Sequence, residues 1–547
     1  MPKIEKKQNF IYGAAILTVG VIIMKVLGAI YKIPLGNILG DYGYGIFYAT
    51  YNVYNIFFTL STAGLPVALS RLIAEADVNG RRKQEEKTFK TAIITFACIG
   101  VLFSSIMYFG SDWLAENYLS KPQASLSIKA MSPAIVLVCL VSAYRGYCQG
   151  NGNMLPTTID EVLEVLFKVV SGLVISILVL KATNDLSKAS AGAIFGVTIG
   201  GMVSLAYMII YRRRNYSDLS AAYTGGRSIT DVPDDDELVD SGWEIAGNIL
   251  KIGIPIAIGA SVMAILTSFD PGICARRLAA AGFSKYDADV LYGVYSKAIT
   301  LFNLPAAITQ PLTISCVPAI AGALALGIKE ESTKVSEDSL RITAVISLPM
   351  ATGLAVMAYP IMKIMYPTAN AAGPGLLRIM AAASFFVCIV LIENAILQAS
   401  GKERLPMYSM VSGSLIKILV NWILIAIPSI NITGAPVGTM IGYIWMAVCN
   451  YIFIRKAVGI KPRISKIVLR PLACCVLMGA AALAAYYGMN ALIGTDSWLR
   501  MVICLAVAIV IAIAVYLVSI SLFKTVSLED TKMIPGGEKV GKLLRLK

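Results

Sequence analysis

The segment from Trp498 to Phe523, WLRMVICLAVAIVIAIAVYLVSISLF, decides the class of fold. Arg500 is its one charged side chain, and the rest is almost entirely apolar. An α-helix rises about 1.5 Å per residue, so about 20 apolar residues cross the roughly 30 Å hydrocarbon core of a bilayer. Because lipid offers the backbone no hydrogen-bonding partner, such a segment has to be helical inside a membrane. The segment therefore predicts a transmembrane helix.

Comparable apolar stretches recur along the chain, and about fourteen of them are long enough to span a bilayer. They lie near 10–33, 44–70, 91–110, 127–148, 157–180, 189–211, 248–269, 289–322, 342–362, 375–399, 407–427, 433–454, 468–487 and 498–523. The chain of 547 residues is 57% hydrophobic and 15% charged, with a mean hydropathy of +0.72. Soluble proteins are about 45–50% apolar and about 25% charged. The sequence predicts an all-α integral membrane protein.

Prolines are expected to interrupt several of these spans, as they do in broken helices that line a cavity. The prolines in question are Pro34, Pro66, Pro305, Pro311 and Pro318. The basic residues between the spans set the predicted orientation. With a cytoplasmic N-terminus, Lys and Arg are about threefold more frequent on the cytoplasmic side, in agreement with the positive-inside rule. We therefore expect a multi-pass membrane protein with both termini in the cytoplasm.

An internal repeat with an offset of about 250 residues predicts two halves. The segment Gln149–Pro156 (QGNGNMLP) resembles Gln398–Pro406 (QASGKERLP). Identical residues recur at nearly the same offset, namely Met131 and Met380, Cys139 and Cys388, Lys168 and Lys417, and Tyr44-Gly45 and Tyr292-Gly293. Each copy would hold six spans, an even number, so both copies enter the membrane in the same direction. This predicts two six-helix lobes related by a parallel pseudo-two-fold axis, followed by two C-terminal helices.

The predicted boundaries follow from the repeat and from the largest loop. They are 1–214 for the N-terminal lobe, 215–247 for an acidic cytoplasmic linker, 248–460 for the C-terminal lobe, and 461–547 for spans 13 and 14 with a basic cytoplasmic tail. A duplicated bundle of this kind is typical of transporters that move two lobes around a central cavity. The organisation favours a transporter over a membrane enzyme.

Several functions are excluded by composition. The chain has no histidine, which rules out His-based acid–base catalysis and His metal ligands. The ten cysteines are scattered, mostly within apolar spans, as small buried hydrophobic residues are. The net charge is +14, but the basic residues lie between the spans, so no nucleic acid is expected as a partner. We expect no catalytic residue, no metal and no cofactor; a membrane-embedded glycosyltransferase stays as an alternative.

Charged residues within or next to the spans carry the functional prediction, because a charge near the bilayer centre costs about 2.5–3.5 kcal/mol. The candidate substrate-binding residues are Lys25, Lys32, Lys297, Arg145, Arg276 and Arg277. The candidates for ion pairing or for coupling are Glu161, Glu164, Lys168, Asp270, Glu393 and Lys417. The excess of cations in the spans indicates an anionic substrate, since lysine ammonium groups bind phosphate as compact point charges.

Helical spacing separates these residues into two groups. Lys25 and Lys297 have no acidic residue three or four positions away, so we expect them to line a cavity. Lys168 follows Glu164 by four positions and Glu161 by seven, which predicts an ion-paired stripe along one helix face. Lys417 is expected to pair with Glu393 in the same way, across two neighbouring spans. These pairs would be structural.

Several motifs together resemble a known family. Span 1 reads Met24-Lys25-Val-Leu-Gly-Ala-Ile-Tyr-Lys32-Ile-Pro34, and the other motifs are Leu39–Gly45, Thr62–Arg71, Gln149–Gly152, Arg276–Ser284 and Asn303–Ile308. They are similar to the MurJ-like and stage V sporulation protein B-like flippases of the multidrug/oligosaccharidyl-lipid/polysaccharide exporter superfamily. The resemblance covers most of the first twelve spans. It implies a V-shaped central cavity between two six-helix lobes, and a groove for a lipid tail at spans 13 and 14.

The resemblance also implies a function. Such proteins flip a polyprenyl-diphosphate-linked glycan, lipid II in the first place, from the cytoplasmic to the outer leaflet of the bacterial plasma membrane by alternating access. Lys25 stands where the family carries an arginine in span 1, Lys32 lies one residue from a second such position, and Lys297 lies about a turn from an arginine of span 8. These three lysines are expected to hold the diphosphate.

Two other cargoes fit the same fold: another lipid-linked polysaccharide unit, or a cationic drug in a cation-coupled antiporter. The membrane potential or coupling to Na⁺ or H⁺ would supply the drive, because no Walker-type nucleotide loop occurs in the sequence. The expected partners are the lipid-linked anionic glycan and the surrounding membrane lipids. We expect the chain to act as a monomer in the membrane.

Overall fold

The computed structural model describes residues 10–222, 239–325, 329–459, 465–523 and 525. Within those ranges the chain is almost entirely helical and contains no β-strand. The predicted all-α class is therefore confirmed. Residues 223–238 of the predicted linker and nearly all of the predicted basic tail lie outside the described residues.

Eighteen α-helices follow one another in the described ranges. They are α1 (Phe10–Ile38), α2 (Gly40–Thr62), α3 (Leu65–Val78), α4 (Arg82–Phe109), α5 (Ser111–Trp113), α6 (Ser125–Gly150), α7 (Leu155–Thr183), α8 (Leu186–Ala222), α9 (Gly242–Ser268), α10 (Asp270–Ala280), α11 (Lys285–Ala325), α12 (Lys329–Val356), α13 (Ala358–Met365), α14 (Gly373–Ala399), α15 (Arg404–Leu424), α16 (Gly434–Phe453), α17 (Arg470–Ile493) and α18 (Trp498–Leu522). Short helical turns lie at Leu114–Tyr118, Pro122–Ala124, Asn431–Thr433, Ile454–Val458 and Ser465–Leu469.

Thirteen helical segments of the described residues are long and apolar enough to cross a membrane. They match thirteen of the predicted spans, and the last of them, Trp498–Leu522, has a hydropathy of 3.2. The remaining predicted span, 289–322, falls inside the 41-residue helix α11, which is not among the thirteen. The chain is thus a multi-pass α-helical membrane protein.

The expectation that prolines break the spans is right at one position and wrong at the others. Between α2 and α3 the helix is interrupted at Ala63 and Gly64, and Pro66 lies in the first turn of α3. In contrast, α1 continues through Pro34 to Ile38. Helix α11 is likewise continuous over Lys285–Ala325 and contains the three remaining prolines. Neighbouring helices and side chains can replace the lost backbone hydrogen bond, so proline alone does not end a membrane helix.

The chain divides into two compact units, Met1–Gly272 and Ile273–Lys547. In the first unit α6 packs against α2, α3, α4 and α8, while α7 packs against α1 and α8. Helix α9 also belongs to this unit, because it packs against α2, α3 and α4. Gly64 and Gly253 lie at one of these crossings, where the backbones approach so closely that Gly64 has no room for a side chain. The lobe boundaries inferred from the repeat stay a prediction.

In the second unit α14 packs against α11, α12 and α16, and α15 packs against α16. Helices α17 and α18 pack against each other, with α17 also contacting α12. The Tyr516 hydroxyl of α18 donates a hydrogen bond of 2.7 Å to the Val345 carbonyl of α12. The outward faces of α17 and α18 carry exposed Leu, Ile and Val side chains, which suit contact with lipid. The predicted lipid-tail groove stays a prediction.

The repeat is visible in the local geometry of both units. Helices α6 and α14 end in turns where Gly152 and Gly401 adopt φ values of 73° and 69°, a left-handed conformation that favours glycine. Cys139 and Cys388, at equivalent places in these helices, are both completely buried. The sequence matches at an offset of 249 therefore correspond to equivalent structural positions.

Candidate functional site

Three lysines of the first unit form a cationic cluster on α1 and α7. Lys25 and Lys32 are seven residues apart on α1, about 10 Å along the axis and on the same helix face. Lys168 lies on α7, which packs against α1. Both Lys168 and Lys25 act electrostatically on Lys32, so the three ammonium groups belong to one charged region. Lys25 is exposed, and within the described ranges no carboxylate pairs with any of the three.

The backbone around Lys168 is fixed by close packing between α7 and α8. A Cβ at Gly200 would lie 2.5 Å from the Glu164 carbonyl oxygen and 3.2 Å from the Lys168 Cβ. A Cβ at Gly196 would lie 2.9 Å from the Lys168 carbonyl oxygen. Glycines spaced by four residues let two membrane helices approach closely. This contact holds the helix segment that carries Lys168 rigidly in place.

The acidic residues of α7 are neutralised by an arginine of α6. The Arg145 Nε lies 2.6 Å from an Asp160 carboxylate oxygen, and another of its nitrogens lies 2.7 Å from Glu164. Glu161 is more distant, at 3.9 Å. The Arg145 and Asp160 side chains are 13% and 0% exposed. Ser204 of α8 donates a hydrogen bond to the second Asp160 oxygen. We call Arg145, Asp160, Glu161 and Glu164 the arginine clamp.

The predicted ion pairing between Lys168 and the glutamates of its own helix is therefore wrong. Both Glu161 and Glu164 face Arg145, whose planar guanidinium can bind two carboxylates at once. Because Arg145 pairs with these carboxylates, they do not neutralise the charge of the lysine cluster. Arg145 and the three lysines give this part of the unit four positive charges, against the three carboxylates of the clamp. The net charge of the site is therefore positive, which suits an anion. The predicted substrate-binding role of Arg145 itself stays a prediction.

Lys297, predicted to line a cavity, is completely buried in the second unit. It lies on α11, and its Nζ is 5.1 Å from the centroid of the Tyr366 ring, which follows α13. A cation over an aromatic face is stabilised by the negative face of the ring. The ring is thus a partner for the buried ammonium that needs no substrate, and the proposed role of Lys297 in binding stays a prediction.

Two further candidate cations of the second unit, Arg276 and Arg277, lie on α10. Arg276 is exposed, whereas Arg277 donates a hydrogen bond of 2.7 Å to the Trp422 carbonyl and lies 4.6 Å from the centroid of its indole ring. Trp422 is in the last turn of α15, where carbonyl groups lack helical partners and attract a cation. Asp270 begins α10 and is buried. None of these contacts tests a role in transport.

The predicted pair between Glu393 and Lys417 is absent from the described residues. Glu393 lies on α14, is 4% exposed, and its Oε2 has no hydrogen-bond partner there. Lys417 lies instead at the contact of α15 with α16, where a Cβ at Gly442 would be 3.1 Å from the Lys417 Cβ. The two residues were paired in the prediction by their presence on nearby spans, which does not fix the direction of either side chain.

Two further features were missed by the sequence reasoning. Ser204 contacts Asp160 from a third helix, and no local pattern announces such a contact. From Tyr44 onward the tyrosines of α2 recur every three or four residues, and this spacing could have been recognised as a stripe along one helix face. One of them, Tyr48, has its ring centroid 5.6 Å from the Lys32 Nζ.

Comparison with known proteins identifies the family of this chain. The family model for polysaccharide biosynthesis proteins matches residues 10–324, and a MatE model matches residues 283–423. Stage V sporulation protein B of Bacillus subtilis (strain 168) is 24% identical over 543 residues, covering 97% of this chain and 98% of that protein. Lipid II flippase MurJ of the same organism is 22% identical over 519 residues, covering 92% and 94%.

Solved structures agree on the fold. A structure of lipid II flippase MurJ in an inward closed conformation gives a TM-score of 0.66 at 15% identity, covering 93% of this chain and 98% of the other. An inward-facing multidrug resistance MATE family transporter gives 0.62 at 14% identity, covering 81% and 98%. By their names, one of these relatives is a flippase and the MATE structure is that of a transporter. Since the family model matches more than half of its residues, this chain belongs to the polysaccharide biosynthesis protein family.

Proposed function

We propose that the protein flips a polyprenyl-diphosphate-linked glycan from the cytoplasmic to the outer leaflet, and that this cargo is a cell-wall precursor, lipid II in the first place. The observation that carries the proposal is the cluster of Lys25, Lys32 and Lys168 beside carboxylates that Arg145 already occupies. Lysine ammonium groups bind phosphate oxygens through charge-assisted hydrogen bonds. The relatives named for lipid II flipping and for sporulation support a lipid-linked cargo of this type.

The charge of such a cargo also provides the drive. Moving one charge through 100 mV is worth about 2.3 kcal/mol, and a negative cell interior pushes an anion outward. A head group with about two negative charges gains roughly 4–5 kcal/mol, so hydrolysis of a nucleotide is unnecessary. Both termini are proposed to lie in the cytoplasm, which reporter fusions to each end would check. The lipid tail is proposed to lie along α17 and α18.

The experiment is complementation of a bacterial strain depleted of its lipid II flippase, at matched membrane expression. We expect wild type to rescue growth, whereas Lys25→Ala and Lys32→Ala should fail. Lys188→Ala is the matched control, because Lys188 is 54% exposed and its ion pair among the described residues is with Asp185, at 3.8 Å. Failure of a well-expressed wild type would reject lipid II as cargo. Rescue by all three lysine variants would reject the cationic site.

A cation-coupled antiporter is the second candidate, favoured by Glu393. Its buried Oε2 without a partner among the described residues is the kind of group that binds a proton or a cation. Under this alternative Glu393→Gln should abolish transport of cationic dyes, whereas Lys25→Ala should have no effect on it. Under the flippase proposal the Lys25 variant is the defective one, so the same two variants separate the candidates.

A further inference from the structure

Helix α2 carries a continuous aromatic stripe. Its members, spaced by three or four residues, are Tyr44, Phe47, Tyr48, Tyr51, Tyr54 and Phe58. Neighbouring ring centroids lie between 5.6 and 6.4 Å apart. Aromatic pairs at this distance stabilise each other beyond the burial of their surface. The stripe is therefore an ordered, rigid surface along the helix.

Two of these tyrosines keep part of their rings accessible. Tyr44, Phe47 and Tyr54 are buried, whereas Tyr48 and Tyr51 are only half-buried. At 100° per residue, Asn52 and Asn55 fall on the same roughly 100° arc of α2 as Tyr48 and Tyr51. Asn55 is exposed. One face of the helix thus combines two accessible phenol rings with two carboxamides.

This face begins at the lysine cluster. The Lys32 Nζ lies 5.6 Å from the Tyr48 centroid. The preceding residue of α1, Tyr31, lies 6.0 Å from Phe47, so α1 and α2 meet at two adjacent aromatic contacts. A phosphate bound to Lys32 would therefore lie close to the Tyr48 ring. A group bonded to that phosphate would therefore be within reach of the aromatic stripe.

We propose that Tyr48 and Tyr51, with Asn52 and Asn55, bind the sugar of the lipid-linked cargo; this inference rests on the proposed function. The first sugar of such a lipid is bonded directly to the diphosphate, which matches the short step from Lys32 to Tyr48. A pyranose ring presents C–H groups on one face, and these pack against the negative face of an aromatic ring. Carboxamides donate and accept hydrogen bonds, as sugar hydroxyls require. The lysines hold the charge, and the stripe recognises the glycan.

The test measures binding of two lipids to the purified full chain in nanodiscs. The probes are undecaprenyl diphosphate and undecaprenyl diphosphate carrying a single N-acetylglucosamine. Wild type should bind the glycosylated lipid about tenfold more tightly, equivalent to about 1.4 kcal/mol. The double variant Tyr48→Leu with Tyr51→Leu should bind both lipids equally, at the affinity of wild type for the sugar-free lipid. The matching double Phe variant keeps the rings and should retain most of the preference.

Tyr108→Leu is the control for loss of a tyrosine elsewhere in the unit, because Tyr108 is 46% exposed and lies on α4. It should leave both affinities unchanged. Equal binding of the two lipids by wild type would overturn the sugar platform while leaving the flippase proposal intact. An equal loss of affinity for both lipids in the Leu variant would also overturn it. If wild type binds neither lipid, the proposed function fails together with the platform.

Discussion

The same helix crossing is charged in the first unit and neutral in the second. At an offset of 249, Arg145 corresponds to Asn394 and Asp160 corresponds to Ser409. In the first unit, Arg145 forms a 2.6 Å ion pair with Asp160. In the second unit, Asn450 donates a 2.8 Å hydrogen bond to Asn394 and accepts one of 2.6 Å from Ser409. The equivalent helix crossing is therefore stabilised by an ion pair in the first unit and by neutral hydrogen bonds in the second.

The backbone packing beside this crossing is shared. Gly200 contacts the Glu164 carbonyl and the Lys168 Cβ, and Gly442 contacts the equivalent Gly413 carbonyl and Lys417 Cβ. The neutral network shows that helix packing does not require charge here. Buried ion pairs lose much of their Coulombic gain to desolvation, so stability alone does not explain the arginine clamp.

The largest expected effect comes from removing the arginine. Arg145→Met leaves the fully buried Asp160 without its cation, and breaking a buried pair typically costs about 3–5 kcal/mol. The equivalent change in the second unit, Asn394→Ala, removes neutral hydrogen bonds worth about 1 kcal/mol. The apparent unfolding temperature of purified protein, followed by fluorescence on heating, should fall much further for the first variant.

Arg145→Lys is the control, because it keeps the charge and loses the forked geometry; it should be intermediate. Equal destabilisation by Arg145→Met and Asn394→Ala would show that the two crossings are energetically equivalent. In that case the charged crossing of the first unit and the neutral crossing of the second would not differ in their contribution to stability.

The next effect tests the packing that both units share. A Cβ at Gly200 would lie 2.5 Å from a backbone oxygen, and one at Gly442 would lie 2.9 Å from the equivalent oxygen. Both Gly→Ala variants should lower the apparent unfolding temperature by overpacking, at about 1–3 kcal/mol, with Gly200→Ala the worse of the two. Gly247→Ala is the control, since nothing lies within 4 Å of its Cβ position. A neutral Gly200→Ala would contradict the close crossing.

The sequence predicted the helical class, the spans and the repeat, because each depends on regularities along the chain. Apolar length predicts a span wherever that span packs, as the thirteen helical segments show. The partners of the charged side chains could not be predicted from the sequence in the same way. Glu164 and Lys168 are spaced for an ion pair, but Arg145, which is distant in sequence, takes the carboxylate because α6 and α7 cross there. Side-chain direction at a crossing depends on tertiary packing, which one sequence does not display.

A smaller effect is expected on transport, where substitutions of the equivalent lysines Lys168 and Lys417 should differ in their effect on flipping. Lys168→Met removes a cation from the proposed substrate cluster, so flipping should fall about tenfold, the factor that corresponds to 1.4 kcal/mol. Lys417→Met alters the same place in the second unit and should change flipping by less than about twofold. Transport of a fluorescent polyprenyl-diphosphate glycan in proteoliposomes provides the measurement. Equal losses in both variants would assign the two lysines one shared structural role.

The smallest effect is expected at an exposed carboxylate of the first unit, which contrasts with the buried Asp160. Asp112 is 71% exposed and lies 3.0 Å from the Lys129 Nζ, while Ser125 donates a hydrogen bond to it. The hydrogen bonds from Ser125 and then Lys129 lower the pKa of the Asp112 carboxyl below its ordinary value. A lowered folded pKa stabilises the fold above the pKa of the unfolded chain, and this stabilisation disappears as the pH falls through the folded pKa.

Asp112→Asn should therefore lower the apparent unfolding temperature slightly at pH 7, and the difference from wild type should shrink as the pH is lowered below the ordinary range of aspartate. Exposed ion pairs are screened by water and salt, so this difference should also shrink in high salt, whereas that of Arg145→Met should persist. If Asp112→Asn were as damaging at pH 7 as Arg145→Met, burial would not be what distinguishes the arginine clamp. The difference in stability between the charged crossing of the first unit and the neutral crossing of the second would then have to be attributed to charge alone.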